Sequence, residues 1–155
     1  MSRVVNLLDV SLEPARHARD GHRYLHRGIG AELGATLASW SLYELGPGQG
    51  ASAYHYELNR EEWLLVVSGE VTLRTPAGER VLRAGDIVCF PLGPDGAHSV
   101  RNDGAEPARY AMPSTVPRAA WSVVYPDSNR VAVVGPGFKR MMRIGEDLSY
   151  WEGEP

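Results

Sequence analysis

Between residues 35 and 135 the apolar positions of this chain come in short bursts, each closed by glycine, proline, asparagine or aspartate within roughly eight to twelve residues. Bursts of that length, rich in Val, Leu, Tyr and Trp, predict strands at 35–45, 52–57, 62–67, 71–75, 79–82, 87–90, 98–101 and 108–114. Two more are expected around the Pro-Asp-Ser-Asn turn of "VVYPDSNRVAVVGPG". Eight strands suffice for a closed barrel or a jelly roll. A helical period is weak throughout; its best candidate is 12–19, stopped by Asp20 and Gly21. The expected fold is therefore all-β, a jelly-roll β-barrel with a short irregular or helical N-terminal segment.

Alternation within these strands carries more detail. In 62–67 the side chains of Glu62, Leu64 and Val66 share one face, and Trp63, Leu65 and Val67 share the other. Both faces are apolar, as expected where one lines a barrel and the other packs on a second sheet or another subunit. Trp63 reads as packing, and a homodimer is expected from such apolar outer faces.

Composition narrows the partners. A chain of 155 residues fits one domain, 1–155, with a barrel core at about 35–135. With 43% apolar and 23% charged residues it has an ordinary globular balance. A net charge of -3 lacks the basic excess that nucleic-acid binding needs. The single cysteine, Cys89 in "DIVCF", reads as a small buried hydrophobe and suits a reducing compartment. The start "MSRVVNLLDVSLEP" carries no recognisable export signal, and no run of eighteen apolar residues occurs. A cytoplasmic protein without membrane contact is expected.

Candidate chemistry gathers in "YHYELNREEWLLVVSGE", residues 54–70. In an extended backbone His55 and Glu57 point the same way, opposite to Tyr54 and Tyr56. Glu62 heads the inner face of the next strand, a costly place for a carboxylate unless it meets a cation or a hydrogen bond. His98 follows the loop "PLGPDG", and a closing barrel would return it beside His55. His22 and His26 are four apart, a helical metal-pair spacing, but Gly21, Gly28 and the intervening arginine favour a surface turn. The acidic tail "EDLSYWEGEP" is either frayed or pinned by Tyr150 and Trp151.

These residues resemble the cupin superfamily. Its first motif is a glycine, five residues, His-x-His, three or four residues, Glu, six residues and a glycine. His55 takes the place of the first histidine, four residues separate position 57 from Glu62, and six separate Glu62 from Gly69. The second motif, a glycine, five residues, Pro-x-Gly, two residues, His, three residues and Asn, is met by Gly85, Pro91, Gly93, His98 and Asn102, with a longer spacing before the histidine. There are three departures: Glu57 replaces the second histidine, Gln49 stands where the opening glycine would fall, and four residues instead of two separate Gly93 from His98.

The resemblance implies a small β-barrel holding one divalent metal ion through His55, Glu62 and His98, with Glu57 in the fourth ligand's place. Two histidines and a carboxylate suit non-haem iron. A second carboxylate moves the preference toward manganese, iron or nickel, with zinc still accommodated, and weakens the ion as a Lewis acid. Glu57 is either a ligand or a catalytic general base beside the ion. The implied function is a metal-dependent enzyme of dioxygenase, isomerase or lyase type acting on a small polar molecule. Two rivals stand beside it: a non-catalytic barrel that binds or senses a sugar or acid, and a barrel with a vestigial metal site.

Overall fold

A computed structural model describes residues 2–16, 19–117, 119–149 and 152–153. Tyr150 and Trp151, the pair expected to fray or pin the tail, lie outside the described residues. In chain order come β1 (Glu13–Pro14), β2 (Tyr24–Gly28), a one-turn helix α1 (Gly30–Leu33), β3 (Ala38–Leu45), β4 (Tyr56–Glu57) and β5 (Glu62–Ser68). They are followed by β6 (Glu70–Thr75), β7 (Gly78–Arg83), β8 (Ile87–Phe90) and β9 (Ser99–Arg101). The last four are β10 (Ala108–Thr115), β11 (Trp121–Tyr125), β12 (Arg130–Gly135) and β13 (Phe138–Arg143). No described helix is long and apolar enough to cross a membrane.

All pairings are antiparallel and build three sheets: β1-β2-β3-β10-β5-β8, β13-β12-β11-β4 and β7-β6-β9. The all-β expectation holds, but hydrogen bonding among the described residues does not close a barrel. Between the ladders only isolated bridges remain, Gly50 with Arg101 and His55 with His98. The expected strand at 52–57 accordingly shrinks to β4, because the chain there leaves one sheet to join another.

The core lies between the six-stranded and three-stranded sheets. Leu64 and Val66 of β5 meet Val71 and Leu73 of β6, Val100 of β9 and Tyr110 of β10, all buried. Burial along β5 alternates as its sequence requires: Glu62, Leu64 and Val66 are buried, while Trp63, Leu65 and Val67 are half-buried. The β5–β6 turn rests on Gly69, whose φ of +72° is left-handed and whose missing side chain lets the backbone approach Ala108.

Three expectations change. Residues 12–16 and 19 are not helical; Glu13 and Pro14 pair with His26 and Leu25, and Pro14 is tolerated because β1 is an edge. His17 and Ala18 lie outside the described residues. Instead of a surface turn, residues 24–28 form β2, and His26 packs on Tyr43 at 4.9 Å between ring centroids. Cys89 is exposed, because Val88 and Phe90 take the inner positions of β8 and Cys89 stands opposite Trp63 on the outer side. The N-terminal segment is irregular as expected, and Arg109 holds it by donating to the carbonyls of Leu7 and Leu8 at 3.0 and 2.7 Å.

Asn102, fully buried, fixes the loops at the far end of the core. Its amide donates to Leu45 O at 2.9 Å and Glu106 O at 2.8 Å, and its Oδ1 accepts from Gly104 N–H at 2.9 Å. Truncation leaves these buried groups unpaired, each a loss of about 1–3 kcal/mol before water compensates. Asn102→Ala is expected to lower stability by about 3 kcal/mol in urea unfolding, with the slope of the transition unchanged.

Candidate metal centre

Where the isolated bridge joins two sheets, His55 and His98 stand directly opposite one another. His55 N–H donates to His98 O at 3.0 Å, and His98 N–H donates to His55 O at 2.8 Å. This pair of backbone hydrogen bonds sets the rings side by side, 4.6 Å between centroids. Glu62, at the start of β5, faces them from the neighbouring ladder.

Both rings are oriented the same way. His55 Nδ1 lies 2.8 Å from Ala53 O, and His98 Nδ1 lies 2.9 Å from Gly96 O. A carbonyl only accepts, so each Nδ1 carries a proton, and in the neutral ring Nε2 presents a lone pair. Phe90 stacks on His98 with 3.7 Å between centroids and 7° between planes, fixing the ring from its other side. Nδ1 anchored to a carbonyl with Nε2 directed inward is the arrangement that metal-ligating histidines adopt.

The two Nε2 atoms turn toward one carboxylate oxygen. Glu62 Oε2 is 3.8 Å from His55 Nε2 and 3.7 Å from His98 Nε2, too far for a hydrogen bond. One ligand atom from each of the three residues falls within a 4.8 Å set. Glu62 Oε2 and His98 Nε2 are buried with no hydrogen-bond partner. Orphaned buried polar atoms are costly unless something pairs with them, and three convergent donors of N, N and O type fit a divalent transition metal.

Arg60 occupies the opposite side of Glu62. Its guanidinium is 3.6 Å from Glu62 Oε1 and donates to Ser114 Oγ, so Oε1 faces a cation and Oε2 faces the histidines. Burial pushes Glu62 up, but His55, Arg60 and His98 together hold its carboxyl below the usual range. Burial, and then the charge of His55, push His98 down to about 4, so its ring is neutral near pH 7. His55 moves the other way: burial lowers it, but Glu62, the Ala53 carbonyl and Glu57 raise it by more.

Glu57 is buried but stands outside the three-residue set. It pairs with Val123 of β11, and its carbonyl accepts Gly93 N–H at 2.8 Å, which ties the loop before His98 to β4. Its Oε2 has no partner. Burial, then the neighbouring charge of Glu62, raise its carboxyl to about 7.

Sequence reasoning did not single out the tyrosines that flank the site. Tyr24, Tyr43 and Tyr110 come from β2, β3 and β10, outside both motifs. Strand alternation around Tyr110 was the available signal. Nor did sequence reasoning single out Arg60, although it lies two residues before Glu62.

The cupin domain family matches residues 41–113, which contain the triad and Glu57. That segment matches as a cupin domain. Solved structures extend the likeness beyond it. A provisionally assigned sugar phosphate isomerase from Acidithiobacillus ferrooxidans is 22% identical, with 92% of this chain and 91% of that one covered and a TM-score of 0.81. A sugar phosphate isomerase of the cupin superfamily from Silicibacter pomeroyi is 21% identical over 96% and 98%, with a TM-score of 0.80. The polyketide cyclase RemF from Streptomyces resistomycificus is 21% identical over 74% and 80%, with a TM-score of 0.61. At these identities the likeness establishes the fold of this chain, while its reaction stays a separate question. No curated protein matches it.

Proposed function

We propose that this chain is a metal-dependent enzyme acting on a small polar molecule, with one divalent ion held by His55, Glu62 and His98. The observation that carries the reading is the convergence of three ligand atoms within 4.8 Å, two of them buried without a partner. A divalent ion bound there supplies Lewis-acid polarisation of a substrate carbonyl or hydroxyl oxygen.

The surrounding residues do the rest. The carbonyls of Ala53 and Gly96 keep both Nε2 lone pairs turned inward, and Arg60 keeps Glu62 Oε2 on the same side. Glu57 has a buried oxygen, Oε2, without a partner, on which a proton can be held or received next to Glu62 and His55. Isomerase or lyase chemistry, which shuttles a proton next to a polarised carbonyl, uses these parts most fully. The single domain spanning 1–155 and the homodimer belong to the same proposal. Phe138, Met141 and Met142 of β13 are exposed and supply the apolar surface for association.

Metal content by mass spectrometry tests the reading, on protein prepared without chelator or a nickel affinity step. About one equivalent of iron, manganese, nickel or zinc is expected. Glu57→Gln is expected to keep that metal within about twofold and to lose turnover of a small hydroxycarbonyl by 10²-fold or more, the usual scale of a general acid or base. Ligand binding without turnover in the wild type points instead to a sensing barrel. Absence of metal after dialysis against all four ions sinks the enzyme reading.

A further inference from the structure

The cavity in front of the triad limits what can enter. It is a recess of about 140 Å³, open to solvent on one side. A void of about 150 Å³ holds one benzene, so the space suits a molecule of roughly six to eight non-hydrogen atoms. The walls are aromatic and apolar: Tyr24, Tyr43, Tyr110, Val100 and Met112. Tyr43 stacks on Tyr110 at 5.1 Å and 8°, and tilts against Tyr24 at 5.8 Å, which makes this side a fixed surface. The polar end consists of His55, Glu62, His98 and Ser52.

The distribution of charge is one-sided. Among the described residues Glu62 is the single carboxylate in the lining, and neither lysine nor arginine belongs to it. Burial, first, and neighbouring Tyr24 and Glu62 raise the Tyr43 hydroxyl to about 12, so it stays neutral. Arg16 and Arg23 line separate recesses that share Tyr24 with this cavity. Arg60 is engaged with Glu62 Oε1 and Ser114 and does not line it. The one described α-helix has a single turn, too short to offer an anion site. A phosphate ester carries about −1.5 to −2 charges, and phosphate sites are built from arginine, lysine or helix N-termini. A divalent ion on the triad, less the charge of Glu62, leaves about one positive charge, which a single anionic oxygen offsets; the remaining charge of a phosphate ester meets no cation among the described residues of the lining and is unfavourable to bury.

We infer that this cavity takes a small unphosphorylated molecule, neutral or at most singly charged, with its oxygens toward the triad and its carbon skeleton against the tyrosines. The inference rests on the metal reading above and departs from the phosphorylated substrates that the names of the two sugar phosphate isomerases convey.

The test uses full-length protein loaded with manganese and two matched pairs of probes: dihydroxyacetone with its phosphate, and glycolate with phosphoglycolate. Relaxation of ligand protons by the bound ion reports entry into the cavity. The unphosphorylated member of each pair is expected to bind at least tenfold tighter. Ala51→Leu, which fills part of the cavity, is expected to weaken that binding about tenfold with manganese content unchanged. Equal or tighter binding of the phosphorylated members overturns the inference. So does failure of all four probes to approach manganese that the protein demonstrably holds. Failure to hold manganese overturns the metal reading itself, and the inference falls with it.

Discussion

His98→Ala and Glu62→Gln are each expected to weaken divalent-ion binding by more than about a hundredfold, measured by competition with a chelator of known affinity. Loss of an outer partner of a metal ligand costs about 10–100-fold, so loss of a ligand itself exceeds that range. The two variants separate charge from position. Glu62→Gln keeps the shape and volume of the side chain but removes the negative charge that faces both Nε2 atoms at 3.7 and 3.8 Å. His98→Ala removes one donor and the ring that stacks on Phe90, so it also leaves a void and lowers stability. Loss of metal in Glu62→Gln with unfolding unchanged assigns the effect to ligation. Metal retained at wild-type affinity in both variants would remove His98 and Glu62 from the site.

Gly96→Ala is expected to cost about 4 kcal/mol or more, although it adds one methyl group. A Cβ at this position would lie 1.8 Å from Pro91 O and 2.9 Å from Pro91 C, and both are backbone atoms that cannot rotate away. The tight 3-10 turn Pro94–Gly96 must therefore open. Two functions are lost with it, since Gly96 O holds His98 Nδ1 and Gly93 N–H holds Glu57 O. Metal affinity is expected to fall together with stability. Gly28→Ala serves as the control, because nothing lies within 4 Å of its Cβ position and its φ is ordinary; it is expected to change stability by less than about 0.5 kcal/mol. Equal midpoints for the two variants in urea would show that the loop does not depend on close approach at Gly96.

Local alternation made much of the fold legible. Ile87–Phe90 forms at its expected bounds, and Glu62–Ser68 and Ala108–Thr115 each extend theirs by one residue, because apolar runs of strand length are closed by turns. Spacing also brought forward His55, Glu62 and His98 as residues that could converge. Local pattern was silent on Tyr24–Gly28 and Phe138–Arg143. The first looked like a turn because glycines flank it, and every residue of the second is exposed, so no buried face marks it. Cys89 misled because its neighbours are apolar on both faces of an edge strand. The three tyrosines of the cavity come from strands distant in sequence, and only the sheet order brings them together. Position 57 shows the same limit: the sequence offered Glu57 as ligand or base, and its pairing with β11 instead of β9 leaves it beside the triad.

The central claim is that one divalent ion sits between His55, Glu62 and His98, and anomalous diffraction from crystals of metal-loaded protein tests it most directly. A single strong peak in ligand contact with both Nε2 atoms and Glu62 Oε2 is the predicted result. A peak held by other residues, or none here in protein that carries a stoichiometric metal, would contradict the account.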